Sequence, residues 1–301
     1  MKLQLCQLTF DHAHFGEGTL DSSSSIFSAS RLYSALYLEA IKINQSQEFL
    51  NLSRSESFVL SDAFPYIEGT PFLPKPIGYP EYVSAKTSDL KSIRRKSKLT
   101  KKVDFIPLTE LESFLKRKVD LYRLAELAND FAEYDYVMKK GLDPFEVGVT
   151  TFANSLYIIT SADIFLNQLL EALQYSGLGG KRSSGYGRFS MKISNVPLEL
   201  GKRLVSKEPG YKLLMTTSYP KKEELRQAID GAKYLLKKES GFAYSLTTSA
   251  PMRKRDLYKF KAGSVFQNEY RGDIYDVSPE GFSHPVWNFS KGLFFNLNGM
   301  V

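Results

Sequence analysis

Five glycines fall within twelve residues at 177–188, in the run GLGGKRSSGYGR. Glycine is the residue that takes positive φ at little cost and lets another backbone or a phosphate approach closely. Lys181, Arg182 and Arg188 are interleaved with Ser183, Ser184 and Tyr186, so a cationic and hydrogen-bonding loop is expected here. Apolar residues Phe165, Leu169 and Leu173 recur every four positions before the loop, and Phe189, Met191 and Ile193 alternate after it. The order is therefore helix, loop, strand. Dinucleotide and P-loop sites run strand, loop, helix. Their spacing also fails here: Arg182 stands where the third Rossmann glycine belongs, and Tyr175 where Walker A needs glycine. The spacing therefore does not suit a nucleoside triphosphate site. Phosphate contacts at Gly177, Gly179, Gly180, Gly185 and Gly187, with the side chains between them, are expected instead.

The patterning on either side suggests an α+β chain. Residues 2–10 read as a strand whose alternation changes phase at Cys6, which implies a bulge or burial on both faces. A Gly- and Ser-rich loop follows from Phe15 to Ser25. Leu32, Leu36 and Ala40 then mark a helix over 28–43, with Ser28 as its N-cap. Phe58–Phe64 is a short strand candidate, and the prolines at 71, 74, 76 and 80 require extended chain after it. Leu108–Leu115 and Val119–Phe131 have helical spacing, 139–148 reads as loop, and 66–148 reads as an insertion. LYIIT at 156–160 is a strand, and Ser161 is expected to cap a helix to Gln174. Without the insertion the order is βαββαβ, that of a ferredoxin-like unit, its third strand coming from LYIIT or from Glu146–Phe152. Pro197 divides domain 1–197 from domain 198–301. The second domain is read as a degraded ferredoxin-like unit. Its expected elements are strands at 211–217, 257–260, 264–266 and 292–297, a helix at 221–230 and a hairpin turning at Ser240-Gly241.

Charge sharpens the functional reading. The 301 residues carry a net charge of +7, with 43% hydrophobic residues, an ordinary globular balance. The segment from Lys86 to Lys102 holds eight basic residues and one acid, so it accounts for the whole excess. A neutral body with one basic arm suggests an element that meets a polyanion, with Arg94, Arg95, Lys96 and Lys98 at its centre. The alternative is a solvated loop. A second basic and aromatic run, Arg253, Lys254, Arg255, Lys259 and Lys261 with Tyr258 and Phe260, suits base stacking or a strand with its aromatic face in the core. Cys6 is the only cysteine, which excludes an internal disulfide and any zinc site with two thiolates. His12, His14 and His284 leave little for a metal centre. His14 has two readings, a contact group for RNA or the general base of a metal-independent endoribonuclease. No cofactor is expected. No signal peptide or membrane span is visible, so the cytoplasm is the default.

Several of these segments carry a resemblance. The helix, GLGGKRSSGYGRF and strand resemble the signature of the repeat-associated mysterious proteins (RAMPs) of CRISPR effectors. LTFDHAHFGEGTLDSSSSIFSASRLYSAL, FPYIEGTPFLPKPIGYP and DLYKFKAGSVF are similar to one family among them, the fourth Csm subunit of type III-A complexes. The resemblance spans nearly the whole chain. It implies two ferredoxin-like units with a thumb projecting from the first, which maps to about 66–148. It also implies a non-catalytic subunit in antiviral defence that binds the 5′ tag of the CRISPR RNA. Such a subunit would bridge the large polymerase-like subunit to the backbone subunits. Loop contacts carry over to Gly177–Arg188, and His14 and Arg31 match the family's first loop and helix start. A stand-alone RRM-like protein is the more distant alternative; the RNP1 pattern that it requires is missing.

Overall fold

The computed structural model describes residues 2–79, 98–139, 144–243 and 252–297. Its largest element is a six-stranded sheet in the order β5-β4-β3-β8-β1-β9, all antiparallel at the described pairings. The strands are β1 (Leu3–Phe10), β3 (Phe64–Ile67), β4 (Thr70–Pro74), β5 (Phe105–Pro107), β8 (Ser155–Ser161) and β9 (Phe189–Asn195). β1 pairs with β8 on one side (Leu5↔Ile159) and β9 on the other (Leu8↔Met191). Leu5 and Cys6 are both buried, so the phase change in β1 reflects burial on both faces.

Helix α1 (Ala29–Lys42) starts where the sequence places it, but by a different device. Ser28 occupies the N-cap position without a side-chain cap bond. The Asp62 carboxylate accepts from the Ala29 N–H at 2.8 Å instead. The second crossover helix, Ile164–Ser176, begins two residues later than expected. Ser161 belongs to β8, and Asp163 accepts from the Leu166 N–H as the cap. A capping hydroxyl loses this position because the strand pairing with β1 continues through Ser161. α1 and α2 (Ser46–Arg54) close over the core through Tyr33, whose ring stacks 5.1 Å from Phe49 and 5.5 Å from Phe289.

The insertion lies between Ile67 and Ser155, and it does not leave the body at once. β4 and β5 extend the main sheet, and helices Leu111–Leu115 and Leu121–Asp130 pack beneath it around Phe114 and Leu124. The chain then forms a second sheet, β2-β7-β6, from His12–Ala13, Phe145–Phe152 and Ala132–Lys139. Residues 145–148, read as loop, are strand here, because β6 and β7 pair over eight positions from Ala132↔Phe152 to Lys139↔Phe145. β8 is therefore the third strand of the main sheet, and 145–152 is not. Of the expected Phe58–Phe64 strand, residues 59–61 still bond β8 (Leu60↔Thr160), and the regular strand starts at Phe64, after Asp62 has turned to bond Met215 and Thr217.

The half beyond Pro197 opens on an unexpected helix, Leu198–Val205. Its central sheet is three short strands, with Lys212–Leu214 between Val265–Phe266 and Phe294–Asn296. The expected helix at 221–230 shrinks to Leu225–Ala228, flanked by turns. Ser240-Gly241 is not a hairpin turn: Leu236–Glu239 pairs with Leu257–Phe260, and Phe242–Ala243 with Met252–Arg253. Residues 244–251 lie outside the described residues. Leu213, Met215, Phe289 and Phe295 join the same buried cluster as Leu5, Leu36 and Ile158, so the apolar core crosses Pro197.

Candidate nucleic-acid interface

The glycine loop is docked onto the chain that leaves β1. Gly180 donates to the His14 carbonyl at 2.9 Å, and Gly187 to the His12 carbonyl at 2.9 Å. Leu178 donates to Gly187 O at 2.8 Å, and its side chain is 1% exposed. These contacts explain the glycines. A β-carbon on Gly187 would lie 2.0 Å from Leu178 O, and one on Gly179 would lie 2.6 Å from His14 O. Gly177, Gly179, Gly185 and Gly187 all have positive φ. Close backbone approach is thus needed as expected, but the groups approached are the protein's own. The Gly177, Gly180 and Gly187 N–H groups are already used within the fold.

The charged part of the loop is presented outward. Arg182–Ser184 form one 3₁₀ turn, entered through Lys181 at φ 55° and left through Gly185 at φ 91°. Arg182, Ser183, Ser184 and Arg188 are exposed, and Tyr186 is half-buried. Lys181 Nζ sits 4.8 Å from the centre of the Phe145 ring on β7, so the loop also touches the second sheet. Tyr175, 83% exposed at the end of the preceding helix, adds an aromatic face that the sequence reading did not single out.

The two histidines differ. His12 is exposed and bonds Thr151 Oγ1 through Nδ1 at 2.9 Å. His14 is 6% exposed, and its Nδ1 lies 2.7 Å from the Gly148 carbonyl. A carbonyl only accepts, so Nδ1 carries a hydrogen and Nε2 is the remaining ring nitrogen. The ring is sandwiched where β-carbons on Gly16 and Gly180 would meet it at 2.9 and 2.6 Å. Gly16 O in turn accepts from Arg31 at 2.5 Å, and Arg31 lies 5.8 Å from the Phe15 ring centre. The loop, His14 and Arg31 are therefore one contiguous contact chain. Burial pulls the Arg31 pKa down, an effect opposed by Glu17 and Glu239.

Arg31 opens onto a cleft of about 720 Å³ between the two halves. One wall is the Gly16–Gly18 turn and the start of α1; the other is segment 237–242 with Arg253, Lys254 and Arg255. Glu239 anchors that wall. It accepts from Ser30 at 2.8 Å and Asn288 at 3.0 Å and pairs with Lys259 at 2.8 Å. Burial alone would raise the Glu239 carboxyl, but Lys259 and these donors hold it at about 2. Lys259 is 0% exposed and Phe260 is buried, so neither belongs to an exposed basic and aromatic patch. Arg253, Arg255, Lys261 and Tyr258 are exposed, and Lys254 is half-buried.

Of the basic arm, Arg94, Arg95 and Lys96 lie outside the described residues. Lys98, Lys101 and Lys102 are exposed on the helical turn 98–102. Among the described residues no cluster of three His, Cys, Asp or Glu side chains could hold a metal, and no helix is long and apolar enough to cross a membrane.

Residues 207–297 match the family model of the CRISPR Csm4 C-terminal domain. The chain is 45% identical over 304 residues to the CRISPR system Cms protein Csm4 of Streptococcus thermophilus, covering 99% of each. It is 36% identical over 309 residues to the Mycobacterium tuberculosis (strain ATCC 25618 / H37Rv) protein of the same name, covering 99% of this chain and 98% of that one. Its fold is similar to a chain of the crystal structure of the Csm3-Csm4 subcomplex in the type III-A CRISPR-Cas interference complex. That match has a TM-score of 0.67 at 17% identity over 98% of this chain and 99% of the other. A chain of the Csm1-Csm4 cassette in complex with pppApA matches with a TM-score of 0.61 at 15% identity, over 98% of each. At such identity over its full length, the chain belongs to the Csm4 family of CRISPR proteins.

Proposed function

We propose that this chain is the non-catalytic subunit of a type III-A interference complex that holds the 5′ tag of the CRISPR RNA. It would join the large polymerase-like subunit to the backbone subunits, in the cytoplasm, as part of antiviral and anti-plasmid defence. The observation that carries this reading is the docking of the glycine loop onto His12 and His14. That docking turns Arg182 and Arg188 outward and places the loop one contact chain away from Arg31 and the cleft. A surface with fixed backbone and outward cations suits a phosphate backbone, whose contacts position a strand.

The β9-β1-β8-β3 order, crossed by α1 and Ile164–Ser176, supports a ferredoxin-like first unit in domain 1–197. The β6–β7 ribbon is our reading of its thumb, narrower than 66–148 because β4 and β5 belong to the main sheet. Domain 198–301 we read as the degraded second unit.

Ultraviolet crosslinking of the native complex tests the function. RNA crosslinks are expected at 177–188 and around 14–31. Crosslinks confined to other subunits would remove the reading. The endoribonuclease alternative is less favoured, because the His14 ring is clamped by Gly148 and packed against Gly16 and Gly180. Metal-free cleavage of repeat RNA by the purified chain, lost in His14→Ala, would restore it.

A further inference from the structure

The cleft between the halves holds more positive charge than its own carboxylates answer. Arg31, Lys237, Lys238, Arg253, Lys254 and Arg255 line it, against Glu17 and Glu239. Several of these cations are already engaged. Lys237 pairs with Glu17 at 3.2 Å, Lys238 and Arg253 with Asp256 at 2.7 and 3.1 Å, and Arg255 bonds Asp276 O at 2.6 Å. Glu239 is taken by Lys259, Ser30 and Asn288. The Lys254 ammonium has no hydrogen bond or ion pair among the described residues, although Lys259 and Arg31 both lie near enough to depress its pKa. Burial is the main cause of that depression, and Glu239 opposes it. Like charges crowded in a half-buried site favour an anionic guest.

The same wall carries Phe242, 70% exposed and pointing its ring area to no aromatic partner among the described residues. Phe242 faces Arg253 across the short strand pair, and Lys254 N–H bonds Gly241 O at 2.9 Å. An exposed ring beside free positive charge suits a guest with both a phosphate and a flat base. The volume of about 720 Å³ lies inside the usual range for small-ligand pockets, roughly 300–1,000 Å³.

We propose that this cleft takes one nucleotide of the bound RNA, its phosphate on Lys254 and Arg31 and its base stacked on Phe242. The proposal rests on the RNA-binding reading above and adds a second, base-bearing contact to the phosphate contacts of the glycine loop.

The test uses the full chain and a short single-stranded RNA labelled at its 3′ end. Phe242→Ala and Lys254→Ala are each expected to weaken binding roughly tenfold. Phe242→Tyr should retain affinity, and only Lys254→Ala should flatten the salt dependence. Wild-type affinity in both alanine variants, with binding still lost in Lys181→Ala/Arg182→Ala, would overturn the cleft proposal and leave the RNA-binding reading standing. No RNA bound by the wild-type chain or by its complex overturns both. Poly-glutamate that competes with RNA and is lost in Lys254→Ala but not in Phe242→Ala would reassign the cleft to an acidic protein segment. Circular dichroism of each variant confirms that the fold is intact before binding is compared.

Discussion

Gly180 donates its backbone N–H to the His14 carbonyl at 2.9 Å, and a β-carbon on Gly180 would lie 2.6 Å from the His14 Cδ2. The glycine loop is thus held against a buried histidine and is part of the folded body. Substitutions in it divide by what each glycine touches. Gly187→Ala would place a methyl group against Leu178 O at a positive φ, and is expected to lower stability by about 3 kcal/mol or more. Gly185 has open space around it and the same sign of φ, so Gly185→Ala should cost only about 1–2 kcal/mol. Urea denaturation of both variants measures the difference. Equal losses would show that backbone conformation, not docking, accounts for the glycines.

Removing charge from the loop should leave the fold alone. Arg182 is exposed and Lys181 half-buried against Phe145. Lys181→Ala with Arg182→Ala is expected to change stability by about 1 kcal/mol or less. It should reduce the slope of log affinity against log salt by roughly 0.7 per lost phosphate contact on single-stranded RNA. An unchanged slope would mark these cations as solvated.

The Glu239–Lys259 pair should be costly to break. Lys259 is fully buried, so Glu239→Ala leaves an uncompensated charge and is expected to cost about 3–5 kcal/mol. The pH dependence follows from the lowered carboxyl. Its value of about 2 in the fold lies below the ordinary 4.5, so its stabilisation is complete above about pH 4.5 and is lost as pH falls toward 2. Melting temperatures across that window should fall more steeply for the wild type than for Glu239→Gln. Parallel curves would show that other carboxylates carry the acid sensitivity.

Asp62 joins the two halves. Its carboxylate accepts from Ala29 N–H and from the Thr217 N–H and hydroxyl, at 2.8, 3.1 and 2.6 Å. Burial raises its pKa, and these donors oppose that. Asp62→Ala leaves three buried donors without their acceptor and should cost about 3 kcal/mol or more. Thr217→Val removes the hydroxyl's bond to Asp62 and the one it accepts from the Ala262 N–H at 3.2 Å, and should cost about 1–3 kcal/mol. Equilibrium unfolding of both single variants and the double variant measures the coupling. Strictly additive losses would mean that the two contacts act separately.

His14→Ala should leave guide-RNA maturation intact while loosening the loop, because the side chain that packs against Gly16 and Gly180 is gone. Faster amide exchange at 177–188, with processed RNA still present in the complex, is the expected pair of results. Unprocessed repeat RNA in an assembled complex would return the histidine to a catalytic role.

Local rules were enough for much of the fold. The apolar spacing of Leu32, Leu36 and Ala40 places α1, and the apolar run at 156–160 places β8, because periodicity follows directly from which face is buried. The glycine loop was legible for the same reason: its residues are local, and so are its turn and its outward cations. Other features depend on residues far apart in the chain. Asp62 caps α1 from 33 residues away, which leaves Ser28 without its expected capping bond. Ser161 stays in β8 because β1 pairs with it. β6 and β7 become strands through each other, and their polar alternation is weak when read singly.

The sequence by itself determined the places of β1, α1, β8, the Ile164–Ser176 helix and β9, the cationic glycine loop and the location of the net charge. These depend on side-chain type and near-neighbour spacing. Only the tertiary structure decided that the Gly180 and Gly187 N–H groups are spent on His14 and His12, that Lys259 is buried against Glu239, and that Arg31 and Lys254 face one cleft. The physical reason is that burial and ion pairing depend on which distant segments the core brings together. Residues 30 and 239 are neighbours because Leu36, Phe58 and Phe289 pack in the same buried cluster, and no local spacing records that contact.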